Sequence, residues 1–404
     1  MITSLHIKNF KSLRDVSLKL GALNFFIGTN ASGKSNVFDA LRVLQGVGYG
    51  FSIGEVLDGK PKSATSEVWE AVRGGSAKAT FSGSSSEPIS FEVKLEGPDG
   101  IAEYGLSFDA STQRLVNEWL TVGKKEIFDS RPLVQDETTP VFNARYYTGK
   151  KGPPSILPFA ANRPVLGQIA HGNGGKFLPE HVGAAQAVSI ALANMQQIDP
   201  SPSILRSYSQ AQQISRMGER GENFAALVRT ICKDPKLKEA YLSWLRHLRP
   251  DEIQDVGILT GAVGEPLFSL TETSGSVFPA PVLSDGTLRF AAIVAAFLQP
   301  DMPGLLKIEE IENGIHANRM RLLVELLRSS TRSATTQVIV TTHSPIVLAW
   351  LQESEYAHTF FCKRDEETGG SRILPITEIP HFTEIVQRQP IGELFAEGWL
   401  EAAL

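Results

Sequence analysis

Gly28-Thr29-Asn30-Ala31-Ser32-Gly33-Lys34-Ser35 decides how this chain is read. The eight residues match G-x-x-x-x-G-K-[ST]. They lie between an apolar run, Leu23-Asn24-Phe25-Phe26-Ile27, and a stretch from Ser35 to about Leu44 in which Val37, Ala40, Leu41 and Leu44 share one helical face. Strand, glycine-rich turn and helix is the context that gives the motif its chemistry. The glycines let backbone N–H groups curl around a β-phosphate, and the helix N-terminus adds partial positive charge. Lys34 then reaches the β- and γ-phosphates, and the Ser35 hydroxyl is placed to ligate Mg²⁺.

Outward from this loop, composition sets bounds. The 404 residues suggest two to three domains, and 42% hydrophobic and 21% charged residues exclude a disordered, collagen-like or coiled-coil-dominated chain. The net charge of −5 argues against nucleic-acid binding by the whole surface, so any such contact must be a local patch. Two cysteines, Cys232 and Cys362, make neither a disulfide framework nor a cysteine-based zinc site. No stretch approaches the ~18 apolar residues of a membrane span and the N-terminus has no long apolar core, so a cytoplasmic location with no membrane partner is expected.

Leu5–Phe10 and Val16–Leu20 read as strands ahead of the loop, and from about 76 to 147 alternating segments such as Ile89-Ser90-Phe91-Glu92-Val93-Lys94-Leu95 predict an antiparallel sheet. Gly and Pro from 148 to 180 predict loops around one short helix. Residues 181–250 are helical in composition, and between 201 and 250 nine Lys/Arg face four Asp/Glu. The α/β pattern returns with helices at Thr287–Leu298 and Asn318–Leu327 and strands at Leu305–Glu309 and Val338–Thr342; the last 54 residues hold ten acids and four bases. The expected organisation is an N-terminal part over 1–160, a mostly helical insert over 161–264, and a C-terminal part over 265–404.

A phosphate loop needs acids on its metal side. Leu305-Leu306-Lys307-Ile308-Glu309-Glu310 places two at a strand end, the first suited to Mg²⁺ and the second to polarising water, although a solvated strand terminus would look alike. His343, in Thr341-Thr342-His343-Ser344-Pro345, follows the next apolar strand. Leu283-Ser284-Asp285-Gly286-Thr287 opens a helix, where Ser284 or Asp285 is either a plain N-cap or part of an anion site. No cluster with metal-ligand spacing or nucleophile elbow accompanies these.

In that order the segments, with Asn313-Gly314-Ile315-His316 between them, resemble an ABC-type ATPase head: Walker A, signature motif, Walker B with its following glutamate, D-loop and switch histidine. The opening Leu5-His6-Ile7-Lys8-Asn9-Phe10-Lys11-Ser12-Leu13, together with Gly28–Asn36, is similar to the SMC/RecF/OLD branch and its stand-alone RecF-like AAA family ATPases. The resemblance covers about 1–45 and 280–350 well. It implies an α/β P-loop head with an antiparallel β subdomain and an inserted helical lobe, hydrolysing ATP with Mg²⁺. Lys11, Asn30, Ala31, Ser32, Gly33, Lys34, Ser35 and Asn36 would bind the nucleotide, and Ser35 and Glu309 the metal. Glu310 would be the catalytic base and His343 the γ-phosphate sensor. Ser284, Asp285, Gly286 and Thr287 would form a signature acting on a partner's ATP, with Asn313 and His316 at the D-loop. The chain departs from the pattern in carrying Glu309 where Asp is usual and Ile311 where Pro is usual. It shows no obvious Q-loop, for which Gln168 is the candidate metal-side glutamine.

Lys34 and Ser284 lie 250 residues apart, too far for a transporter subunit, the interval holds no coiled coil, and the 61 residues after His343 are too few for a TOPRIM nuclease. The resemblance therefore implies an ATP-dependent head-to-tail homodimer, with a genome-maintenance or anti-phage role and a separately encoded effector such as a nuclease. DNA would meet the 201–250 stretch, or Arg145-Tyr146-Tyr147 with Lys150-Lys151. The alternative is an ATP-driven regulatory or scaffolding switch that never touches DNA.

Overall fold

In the computed structural model, residues 1–61, 69–82, 87–97, 100–147, 153–172, 176–249, 251–332 and 336–404 are described. The chain divides into two units. The first comprises Met1–Gly21, Phe26–Met195 and Phe360–Pro375; the second comprises Ala22–Phe25, Gln196–Thr359 and Ile376–Leu404.

The first unit is built on period-two sequence. In Ile89–Gly97, Ile89, Phe91, Val93 and Leu95 are buried while the residues between them face out. That strand pairs antiparallel with Ile2–Phe10, setting Leu5 opposite Val93 and Ile7 opposite Phe91. Eight strands run in the order Leu13–Lys19, Ile2–Phe10, Ile89–Gly97, Gly100–Asp109, Arg114–Val122, Lys125–Asp129, Val141–Tyr146, Ser155–Ala160, every neighbour antiparallel. Phe10 meets Phe91 edge to face, and Phe91 stacks on Phe108. The helix Lys34–Gly48 has Val37, Phe38, Leu41, Val43 and Leu44 buried. It runs one turn beyond the expected end, where Gln45 Nε2 donates to the carbonyl of Ala193, the last residue of the helix Pro179–Ala193, and to that of Met195 just beyond it.

The second unit has parallel strands that are apolar on both faces. Leu305–Ile308 pairs with Gln337–Thr342 in the register Leu306 to Val338 and Ile308 to Val340, and both strands are fully buried. Leu23–Ile27 lies on the far side of Gln337–Thr342, with Asn24 Nδ2 donating to the Val338 carbonyl. The helix Asp285–Phe297 buries every residue from Leu288 onward.

Three stretches differ from the sequence expectation, the first being Ser155–Ala160, an edge strand where loops were expected. The region 181–250 is not continuously helical: after Ala193 come a strand, Met195–Ile198, and an irregular segment before the helices Phe224–Ile231 and Pro235–Leu248. Asn, Ser and two glycines, Gly218 and Gly221, break the pattern there. Ile253–Thr260, Pro266–Glu272 and Val277–Pro279 form a three-stranded antiparallel sheet that was not anticipated. Among the described residues no helix is long and apolar enough to cross a membrane.

Candidate nucleotide site

The Walker A loop lies in the first unit. Gly33 precedes the helix with φ of +102°, and a Cβ there would collide with the Ser371 side chain, so only glycine fits. Lys34 is buried, and its Nζ donates to the carbonyls of Gly28 and Thr29, each at 2.7 Å. Asn30 and Ala31 are exposed at the tip, and Ala31 is left-handed. Ser32 is buried. Ser35 is the second residue of the helix, and its carbonyl accepts from Arg73. Asn36 Nδ2 donates to Ser12 Oγ at 2.6 Å, and that hydroxyl also meets Ser371 Oγ.

Lys11 sits beside this loop, paired with Asp39 of the same helix; Asp39 also takes Arg73 at 3.2 Å. Burial lowers the Lys11 ammonium below its usual range, and its hydrogen bond to Asp39 offsets part of that. Lys11, Ser12, Arg73, Lys78, Phe81 and Arg364 line a cleft of about 650 Å³. Four cations around one opening favour an anionic ligand. Asp39 and Arg73 had no local motif to announce them.

In the second unit Glu309 and Glu310 end the strand Leu305–Ile308. Glu310 is left-handed with φ of +43°; its N–H donates to Thr341 Oγ1 at 2.9 Å, and its Oε2 accepts from Asn313 Nδ2 at 2.6 Å. Asn313 thus serves the glutamate of its own chain. His343 stands with Nδ1 3.0 Å from Glu312 Oε1 and 4.0 Å from Glu310 Oε1, and its backbone N–H also donates to Glu312. A carboxylate at Nδ1 fixes the proton there and leaves Nε2 as the outward nitrogen. The motif reading missed Glu312 as the orienting acid; a third acid within Glu309-Glu310-Ile311-Glu312 was the available signal.

The signature turn is in the same unit. Ser284 caps the helix, its Oγ accepting from Thr287 N at 3.2 Å and meeting Thr287 Oγ1 at 2.8 Å. Asp285 pairs with Arg206. A Cβ on Gly286 would lie 2.7 Å from the Gly314 carbonyl, so signature and D-loop backbones pack directly. His316 caps a short 3₁₀ turn through Nδ1. Residues 284–287, 314–316, Asn318, Arg319 and Leu248 line a cleft of about 580 Å³.

Gln168 lies in the helix Val165–Ala170, where its amide is spent on backbone: Oε1 accepts from Ala160 N, and Nε2 donates to the carbonyls of Ala160 and Arg163. The candidate DNA patches change more. Tyr146 is buried, with its hydroxyl on Leu178 N and His181 Nδ1, and so offers no face for stacking. Lys150 and Lys151 lie outside the described residues. Of the nine cations between 201 and 250, Arg206, Arg216, Lys238, Arg246 and Arg249 each hold a carboxylate.

Residues 23–349 match the family described as "AAA domain, putative AbiEii toxin, Type IV TA system". A protein of Helicobacter pylori named ATP/GTP phosphatase is 23% identical over 386 residues, covering 91% of this chain and 93% of its own. Among solved structures, the Smc head bound to the C-winged helix domain of ScpA matches 92% of this chain and 97% of its own at a TM-score of 0.51 and 13% identity. The Pyrococcus furiosus Smc head with an extended coiled coil, bound to the C-terminal domain of ScpA, matches 96% and 99% at 0.50 and 11%. Family and fold bear out the ATPase expected from the five motifs, and nucleotide binding comes with them. The chain belongs to this AAA-domain family and has the ABC-type ATPase fold of the SMC heads.

Proposed function

We propose that the chain is an Mg²⁺-dependent ATPase that closes head to tail on a second copy when ATP is bound and opens on hydrolysis. Lys34 and its loop take the phosphates, Lys11 and Asn36 support them, and Ser35 and Glu309 would each offer an oxygen to the metal. A hydroxyl and a carboxylate are the hard oxygen donors Mg²⁺ takes, so the residues fit the ion, which when bound neutralises charge on the phosphates. Glu310 accepts the proton of the attacking water, and His343, oriented by Glu312, presents Nε2 to the γ-phosphate.

The observation that carries the dimer is the signature cleft. Ser284 and Asp285 are exposed at a helix N-terminus, beside His316 and Arg319 in that cleft. A donor-rich turn open to solvent is suited to a phosphate brought by another copy. Light scattering of the Glu310→Gln protein should show a monomer without nucleotide and a dimer with ATP, and Ser284→Arg should abolish the dimer. A Glu310→Gln protein that stays monomeric at saturating ATP would sink the mechanism.

The downstream role is genome maintenance or anti-phage defence on DNA, with a separately encoded effector; the ScpA-bound Smc heads are the same fold with a separate protein attached. One observation favours the second reading, a regulatory or scaffolding switch that leaves DNA alone. Carboxylates hold five of the nine insert cations and backbone carbonyls a sixth, Arg229, which leaves Arg220, Lys233 and Lys236 as exposed bases for a phosphate backbone. DNA affinity that falls steeply with salt, and falls again in an Arg220→Ala, Lys233→Ala, Lys236→Ala triple variant, supports the DNA role; no salt-sensitive binding supports the switch.

A further inference from the structure

Glu310 holds a backbone conformation that a non-glycine residue adopts only where its surroundings enforce it. Thr341 secures the N–H side. On the carbonyl side stands Arg289, the fifth residue of the signature helix and 5% exposed. Its Nη1 donates to the Pro200 carbonyl at 2.9 Å and pairs with Asp199 at 2.9 Å. Its Nη2 lies 3.4 Å from the Glu309 carbonyl and 3.5 Å from that of Glu310. Those last contacts are long for hydrogen bonds, but a buried positive charge acts on carbonyl dipoles strongly at that range because little water screens it.

The same strap of chain reaches the helix from its other end. Arg206 donates to the Leu283 carbonyl at 2.9 Å and pairs with Asp285. Residues 199–206 therefore bracket the first turns of the signature helix with two arginine contacts of opposite direction. Gly286 rests against the Gly314 backbone, so the helix cannot shift without disturbing the loop that begins at Glu310.

We propose that Arg289 is a positioning residue for hydrolysis. It holds the Glu309–Glu310 backbone in its left-handed turn, and Asp199 and Pro200 in turn hold Arg289, so the strap 199–206 sets how fast bound ATP is cleaved. The proposal rests on Glu310 being the base that activates water. It extends that reading to residues with no contact to nucleotide.

The test uses the full chain with Asp199→Asn, Arg289→Lys, Arg289→Met and, in parallel, Glu310→Gln, measuring kcat, KM, binding of a fluorescent ATP analogue and the thermal midpoint. Arg289→Lys keeps a cation for Asp199 but cannot span to the glutamate carbonyls; its kcat should fall at least tenfold, with KM and analogue binding within twofold. Asp199→Asn should lower kcat three- to tenfold with the midpoint near that of the parent. A purely structural arginine would instead lower the midpoint while lysine restored turnover, and that result overturns the proposal. So does parental turnover in both Arg289→Lys and Asp199→Asn, which decide the matter if Arg289→Met does not fold. Parental turnover in Glu310→Gln would instead remove the assignment of the base.

Discussion

The two units prepare their functional residues in opposite ways. In the first, Lys34, Lys11 and Asp39 are nearly out of solvent, and each already has a partner: loop carbonyls for Lys34, and Asp39 shared by Lys11 and Arg73. In the second, the side chains of Glu310 and His343 are 41% and 43% exposed, and Ser284, Asn313 and His316 face solvent. Burying a charge is costly unless it is paired, so a phosphate loop built around a buried lysine needs internal stand-ins for the phosphate. Under the proposed dimer mechanism, groups that act only once a nucleotide and a second copy are present can remain in water. The contrast predicts that binding is preformed and that hydrolysis waits on assembly.

The sharpest way to break that contrast is at Lys34. Lys34→Ala removes the one cation the loop is wrapped around, and ATP affinity should fall about a hundredfold, on the order of one or two charge-assisted hydrogen bonds. Calorimetric titration with ATP and Mg²⁺ checks this. An affinity reduced less than threefold would mean that the cationic cleft of Lys11, Arg73, Lys78 and Arg364 carries the binding.

A smaller effect sharpens the other side. Glu312→Gln leaves His343 in place but removes the carboxylate that fixes its Nδ1 proton, and kcat should drop about tenfold with KM nearly unchanged. Equal losses in kcat and in ATP affinity would place Glu312 in binding instead.

What could be read from sequence follows from how local each determinant is. The Walker A loop was legible because its glycines, lysine and serine act within eight residues, and Ile89–Leu95 because burial alternates along a single strand. Ser155–Ala160 was hidden: it is an edge strand with one buried position, so it shows little alternation and tolerates Pro158. Arg289 and Glu312 were hidden for a different reason. Their partners lie 90, 89, 21 and 31 residues away, at Asp199, Pro200, Glu310 and His343, and no spacing rule connects them.

The smallest effect on turnover, and the one that tests how the first unit stores a charge, is at Glu118. This carboxyl is fully buried. Its Oε1 accepts from Tyr104 Oη at 3.0 Å and Leu166 N at 2.8 Å, and its Oε2 from Val165 N at 2.6 Å, where it closes the start of the helix Val165–Ala170. Burial pushes its pKa up to about 7 from an ordinary 4.5, against the pull of those three hydrogen bonds. A carboxyl whose folded pKa lies above its unfolded one binds its proton more tightly in the native state. Its contribution is therefore whole below about pH 4.5, shrinks as pH rises toward 7 and is level beyond, a span of about 3 kcal/mol. Glu118→Gln has no such titration, so the stability gap between parent and variant should narrow by that amount from pH 4.5 to 7.5 in denaturant melts, while turnover at neutral pH changes less than twofold. A gap that widens with pH would mean that the two backbone N–H groups and the tyrosine outweigh burial, and that the first unit holds Glu118 as an anion.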